Sequence, residues 1–258
     1  MGCALFRRLA GAVEPTPAAD RLALRLAPSL DQIEDLLAGT AQLDEPTRAV
    51  HVGDPVELTG AVLMPALADL VRDGLRITAV SASTQELLAK LLDGQLDLLV
   101  SSAQPHEGGL SSEHFGDAEL VLVARADWAR RAGTPVVVAE LPAVLAHAPL
   151  LTSVSTAPTT SLLSDYCAQV GAEPIERPAD LVLPDLRGVR SAVLAGAGVA
   201  VLPHYLCGRD LLCNTLQAVC LPSPPPVYPL YLTRRSDAAP VLAVETVRRR
   251  ILAQGRSW

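Results

Sequence analysis

The residues best suited to chemistry are hydroxyls clustered where short apolar runs give way to helix-like runs. Thr59 stands at one such junction, Ser83 and Thr84 at a second, and Thr156, Thr159, Thr160 and Ser161 at a third. The first N–H groups of a helix have no partner within it and carry a partial positive charge. Hydroxyls beside them make a seat for a carboxylate or another oxyanion. Each hydroxyl could equally cap its own helix. Ser83 fits that role well, because Glu86 three residues later completes a capping box. Recurrence of the junctions in two parts of the chain favours a shared cleft.

Organised catalytic or metal-binding sets do not stand out. The histidines are His51, His106, His114, His147 and His204, and none shows a metal-ligand spacing. The nucleophile elbow, the P-loop and the dinucleotide fingerprint do not occur. Gly196-Ala197-Gly198 follows a helix-like run and precedes a strand-like run, the reverse of a dinucleotide turn, so it reads as a helix stop. His204 and Tyr205, just after Pro203, read as structural. Cys3, Cys167, Cys207, Cys213 and Cys220 are odd in number and irregularly spaced, which predicts reduced packing thiols rather than a disulfide framework or a zinc site. No cofactor, no metal and no enzymatic activity are expected.

The junctions must be positioned by the elements around them. A helix is predicted over residues 17–38, with Pro28 inside it as a kink. Residues 39–48 read as a linker. Strand 49–53, a loop to Thr59 and helix 60–73 ending at Gly74 form the first unit. Strand 75–80, the Ser83 junction and a helix to Asp93 ending at Gly94 form the second, and strand 96–100 follows. After strand 120–124, strand 149–154 leads through the third junction into helix 161–170, stopped by Gly171. Asp185 caps helix 186–195, Gly196 stops it, and strand 199–202 follows. Strand 227–234 and a helix over 238–253 close the chain. Strands alternating with helices argue for parallel sheets built from βαβ units. In such sheets ligands bind beyond the carboxyl ends of the strands.

Composition narrows the classes. The chain has 258 residues, half of them hydrophobic and 19% charged, as in a globular protein of two lobes. Its formal net charge is −7, which does not advertise a nucleic-acid face. Arg248, Arg249 and Arg250 read as the solvated end of the last helix. Aromatic residues make up 3%, so stacking platforms for bases are not expected to dominate. No apolar run is long enough to span a membrane, and the start lacks a secretory core, which predicts a cytoplasmic protein with no membrane partner.

Four segments together resemble one family. The run from Asp185 to Pro203, with Ala195-Gly196-Ala197-Gly198-Val199-Ala200-Val201-Leu202-Pro203 at its end, resembles the "A-G-x-G-I-A-x-L-P" segment of LysR-type transcriptional regulators. Leu91-Leu92-Asp93-Gly94-Gln95-Leu96-Asp97-Leu98 looks like their "L-x-x-G-x-L-D-L". Glu119 to Ala124 is similar to their crossover strand, and Gly53 to Pro65 to the opening of their sensing domain. Leu5-Phe6-Arg7-Arg8 resembles the segment after their recognition helix, and Thr16-Pro17-Ala18 the end of their wing. Ala19 replaces the usual glycine, and Pro28 is unusual in a linker helix.

The resemblance implies an α/β, two-lobed, type 2 periplasmic-binding-protein-like fold. Each lobe would be a mixed, mainly parallel sheet with helices on both faces, preceded by an N-terminal helix. Residues 1–16 would be a wing remnant, with Arg7 and Arg8 its DNA contacts, and 17–47 a linker helix and hinge. Lobe I would comprise 48–120 and 232–258, and lobe II 121–231. The effector site would include Glu57, Leu58, Thr59, Ser83, Thr84, Ala157, Thr159 and Val201. A carboxylate at Glu57 would repel an acid and pair with an amine or guanidinium; alternatively, Glu57 points to solvent near a helix start, the simpler reading. The partners implied are a small-molecule effector, promoter DNA in a full-length form only, and a second copy in a homodimer or tetramer. The helix-turn-helix would lie upstream of Leu5, so these 258 residues alone are expected not to bind specific DNA. A solute-binding protein of the same two-lobed fold is the alternative.

Overall fold

In the computed structural model, the described residues are 5–9, 12–19, 22, 48–154, 162–238 and 241–255. They fall into two units, residues 1–48 and 49–258.

The first unit begins with an antiparallel hairpin of β1 (Phe6–Leu9) and β2 (Ala12–Pro15), in which Arg7 lies opposite Glu14 and Arg8 opposite Val13. Thr16 closes it by donating its hydroxyl to the Leu5 carbonyl, and its oxygen accepts from the Ala19 N–H at 3.3 Å. The helix starts at Pro17, where a missing N–H costs nothing. Of the helix predicted over 17–38, residues 17–19 and Leu22 are described and helical; its remainder, Pro28 included, and residues 39–47 lie outside the described residues.

The second unit opens with β3 (Val50–Gly53), then α1 (Val56–Leu58), a π-helical turn Thr59–Leu63 and α2 (Met64–Arg72). The predicted loop up to Thr59 is therefore partly helical. Pro55 sits at the N-cap, where its fixed φ suits helix entry. The π turn also has a local cause: Pro65 has no N–H to continue the ladder, and the Met64 N–H reaches back five residues to the Thr59 carbonyl. Next come β4 (Ile77–Val80), α3 (Thr84–Leu92) and β5 (Leu98–Ser101). β6 (Leu110–Arg125) is far longer than the predicted strand 120–124. Then follow α4 (Ala126–Ala132), a 3-10 turn Val138–Glu140, α5 (Leu141–Ala146), β7 (Leu151–Ser153) and α6 (Leu162–Val170). β8 (Leu181–Leu183), α7 (Leu186–Leu194), β9 (Val199–Pro203), α8 (His204–Leu212), β10 (Leu216–Ala218), β11 (Val227–Arg235) and α9 (Leu242–Gly255) complete the chain.

Two long strands tie two lobes together. β3 pairs in parallel with both β4 and β5; β11 pairs antiparallel with β5 and, along most of its length, with β6. The far end of β6 leaves β11 and pairs antiparallel with β9 and β10. β7 and β8 pair in parallel, and Leu150 bridges to Val199. The sheets are thus mixed: parallel where βαβ units build them, antiparallel where the crossing strands join. One core gathers Val50, Leu63, Leu98, Leu230 and Val247, and a second gathers Leu120, Leu141, Tyr166 and Val201.

Two glycines explain the 195–203 segment. Gly196 has φ +84° and ends α7 in the left-handed conformation. Gly198 packs against the Pro149 carbonyl and Leu151, leaving no room for a Cβ. The repeat of glycines is therefore a helix stop followed by a close strand approach. Among the described residues, no helix is long and apolar enough to cross a membrane.

Candidate functional site

The carboxyl ends of β3 and β4 lie side by side, because Gly53 pairs with Val80 and the Asp54 N–H donates to the Val80 carbonyl at 3.1 Å. In the other lobe, β7 and β8 end together in the same way, with the Val154 N–H donating to the Leu183 carbonyl. Each lobe therefore brings strand ends and helix starts to one edge, as parallel sheets do at ligand sites.

A polar cluster grows from the first of these edges. Asp54 follows β3 directly and is fully buried, and Glu57 on α1 is 7% exposed. Thr59, at the start of the π turn, donates its hydroxyl to Asp54 Oδ2 at 2.5 Å. Burial pushes the Asp54 carboxyl up to about 7; the Thr59 hydrogen bond opposes the rise and the nearby Glu57 charge adds to it. Burial raises Glu57 as well. Its own backbone N–H and Arg187 oppose this, while Asp185 adds to it.

The opposing lobe supplies the facing wall. Asp185 caps α7 by accepting from the Gly188 N–H at 2.8 Å, and Arg187 Nη2 reaches the Asp185 carboxylate at 3.2 Å. Tyr205, in the first turn of α8, shares a 2.8 Å hydroxyl hydrogen bond with Tyr228 of β11. Burial lifts both hydroxyls above their ordinary range, and the field of Glu57 lifts them further, so both rings stay neutral. Both rings also pack against the first core. Grooves of about 440 and 370 Å³ lie elsewhere, one beside Glu113 and Leu252, the other beside Arg125 and Arg130.

The sequence-predicted residues divide sharply. Thr59 and Glu57 join the seam, but Glu57 is buried rather than turned to solvent, which corrects the simpler expectation. Its helix begins earlier than predicted and carries it inward. Leu58, 1% exposed, and Val201, 4% exposed, lie in the cores of the first and second lobes. Ser83 is exposed and completes the capping box: its oxygen accepts from the Glu86 N–H, and its own N–H donates to Glu86 Oε2. Thr84, the first residue of α3, is exposed. Ala157 and Thr159, with Thr156, Thr160 and Ser161, lie outside the described residues. Arg7 is exposed on the hairpin.

Asp54 and Tyr228 were missed, and Tyr205, read from the sequence as structural, stands in the seam as well. Asp54 could have been found from its place, an acid directly after a parallel strand. The tyrosines carry no such signal, because their pairing joins residues 23 apart in sequence.

Comparison with known proteins agrees with this architecture. Residues 43–256 match the family model described as the LysR substrate binding domain. The HTH-type transcriptional regulator AbaB of Streptomyces antibioticus is 34% identical over 239 residues, covering 92% of this chain and 78% of that protein. The regulatory domain of CrgA from Neisseria meningitidis superposes with a TM-score of 0.65 at 18% identity, covering 81% of this chain and all of that one. Full-length CrgA superposes with a TM-score of 0.67, covering 97% of this chain and 83% of that one.

Proposed function

This chain belongs to the LysR family of transcriptional regulators and carries the family's effector-binding domain, and from that premise we propose that it senses a small molecule in the seam between its lobes. Glu57, Thr59 and Asp54 would contact the effector from lobe I, taken as 48–120 with 232–258. The first turns of α7 and α8 would contact it from lobe II, taken as 121–231. Ser83 and Thr84, on the same sheet edge, would guard the approach. One observation supports this most: the ionisable groups Asp54 and Glu57 are buried where the helix starts of the two lobes meet.

Ligand binding would favour one of two lobe angles, and the change would be read out through the assembly of copies. We further propose a cytoplasmic homodimer or tetramer, and promoter DNA as a partner through the hairpin carrying Arg7 and Arg8. The reading is of a sensor rather than an enzyme, in keeping with the likeness to transcriptional regulators. The alternative of a solute-binding protein is not favoured, given the identity with an HTH-type regulator.

Amide hydrogen exchange against a library of small metabolites tests the site. An effector should protect residues 54–63 and 185–190 together. Ligands that protect only one lobe, or only the surface grooves, would remove the seam as the sensing site.

A further inference from the structure

The charges in the seam do not balance. Asp54 and Glu57 are each more than nine-tenths buried. Asp54 Oδ1 and Glu57 Oε2 are buried oxygens without a hydrogen-bond partner among the described residues. Thr59 answers only the other oxygen of Asp54. The groups facing the pair are Asp185 and Arg187 on α7, Tyr205 on α8 and Tyr228 on β11. The tyrosines are neutral and hydrogen-bonded to each other. Arg187 is turned to Asp185. When ionised, the seam thus holds three carboxylates against one guanidinium that is already engaged.

Resting on the effector-binding reading above, we infer that the effector is a small organic cation whose ammonium or guanidinium group docks between the carboxyls of Asp54 and Glu57. Such a group brings several N–H donors to two unfilled acceptors and supplies the missing positive charge. A guanidinium does so with a planar fork that suits carboxylates. A carboxylic acid would meet like charge. A divalent metal ion needs more oxygen ligands than two acids provide, and among the described residues no group of three or more His, Cys, Asp or Glu side chains gathers around one. Burial raises both carboxyls and so favours their neutral forms without ligand; the cation takes the place of the proton on binding.

Titration calorimetry on the whole chain tests this with agmatine, putrescine and arginine, set against succinate and benzoate. At least one of the three cations should bind. Its affinity should rise about tenfold from pH 6 to pH 8, as Asp54, held at about 7, passes from roughly one-tenth to nine-tenths ionised. Asp54→Asn and Glu57→Gln should each weaken it tenfold or more. Both are isosteric, and a melting curve reports whether they fold. Failure of all three cations to bind, or equal affinity in wild type and both variants, would overturn the inference. Hydrogen exchange separates the two readings. Protection of residues 54–63 and 185–190 by succinate or benzoate but not by cations would keep the seam as a sensor and end the cation assignment. Binding with no protection there would end both.

Discussion

Two acids buried in the same unit have opposite surroundings. Asp210 of α8, in the second lobe, accepts two hydrogen bonds from Arg190 of α7, at 2.6 and 2.9 Å. Asp54, at the edge of the first lobe, receives one hydroxyl and keeps a bare oxygen. The chain therefore completes a buried carboxylate where the acid serves architecture, and it leaves one incomplete where two lobes meet. The paired acid also has a consequence for the bare one. The Arg190–Asp210 bridge fastens α7 to α8, and these two helices carry Asp185, Arg187 and Tyr205 to the seam. A wall braced by this ion pair thus faces a pair of acids whose charge state is open to change.

Removing the guanidinium is the strongest way to break this contrast. Arg190→Met leaves Asp210 with its hydrogen-bonding partner gone and should cost about 2–4 kcal/mol of stability. Urea denaturation measures it. Adding Asp210→Leu should return most of the loss, because it removes the stranded charge as well. A loss under about 0.5 kcal/mol in the single variant would mean that Asp210 is no more committed than Asp54.

Asp54→Asn should have the opposite sign. The folded state raises the carboxyl to about 7, so the native protein holds a proton that the unfolded chain has already released. Stability from this group is complete below the unfolded value near 4 and is lost as pH rises through about 7. The ligand-free protein should therefore melt at progressively lower temperature between pH 5 and pH 8. Asp54→Asn should flatten that slope and gain about 2 kcal/mol at pH 8. A wild-type melting temperature independent of pH over this range would show that Asp54 is not perturbed.

How far these features could be read in the sequence depends on how local their causes are. The βαβ units, the Gly196 stop and the capping of α7 by Asp185 follow from contacts within a few residues, and they emerge as predicted. The first ten residues of β6 do not. Their apolar pattern is broken by Ser111, Ser112, Glu113, His114 and Asp117, and they form a strand because β11, more than a hundred residues later, pairs with them. α8 was hidden for a similar reason: its buried face is Cys207, Gly208 and Asp210, an unpromising stripe until Arg190 and β9 cover it. The site divides along the same line. Thr59 is legible as a junction hydroxyl. The burial of Glu57 depends on Tyr205, Tyr228 and α7, which only the fold assembles.

The smallest expected effect sharpens the boundary of the site. Ser83 and Asp54 share one edge of the sheet, and both follow parallel strands. If the seam alone senses the effector, Ser83 acts on its helix and not on the ligand. Ser83→Ala removes the acceptor for the Glu86 N–H and should lower the melting temperature by about 2–4 °C. The affinity of the effector should stay within twofold, whereas Asp54→Asn should change both quantities, stability upward at pH 8 and affinity downward. A tenfold loss of affinity in Ser83→Ala would extend the site along the edge to α3. The exposed hydroxyl of Ser83 would then be a ligand contact as well as a cap.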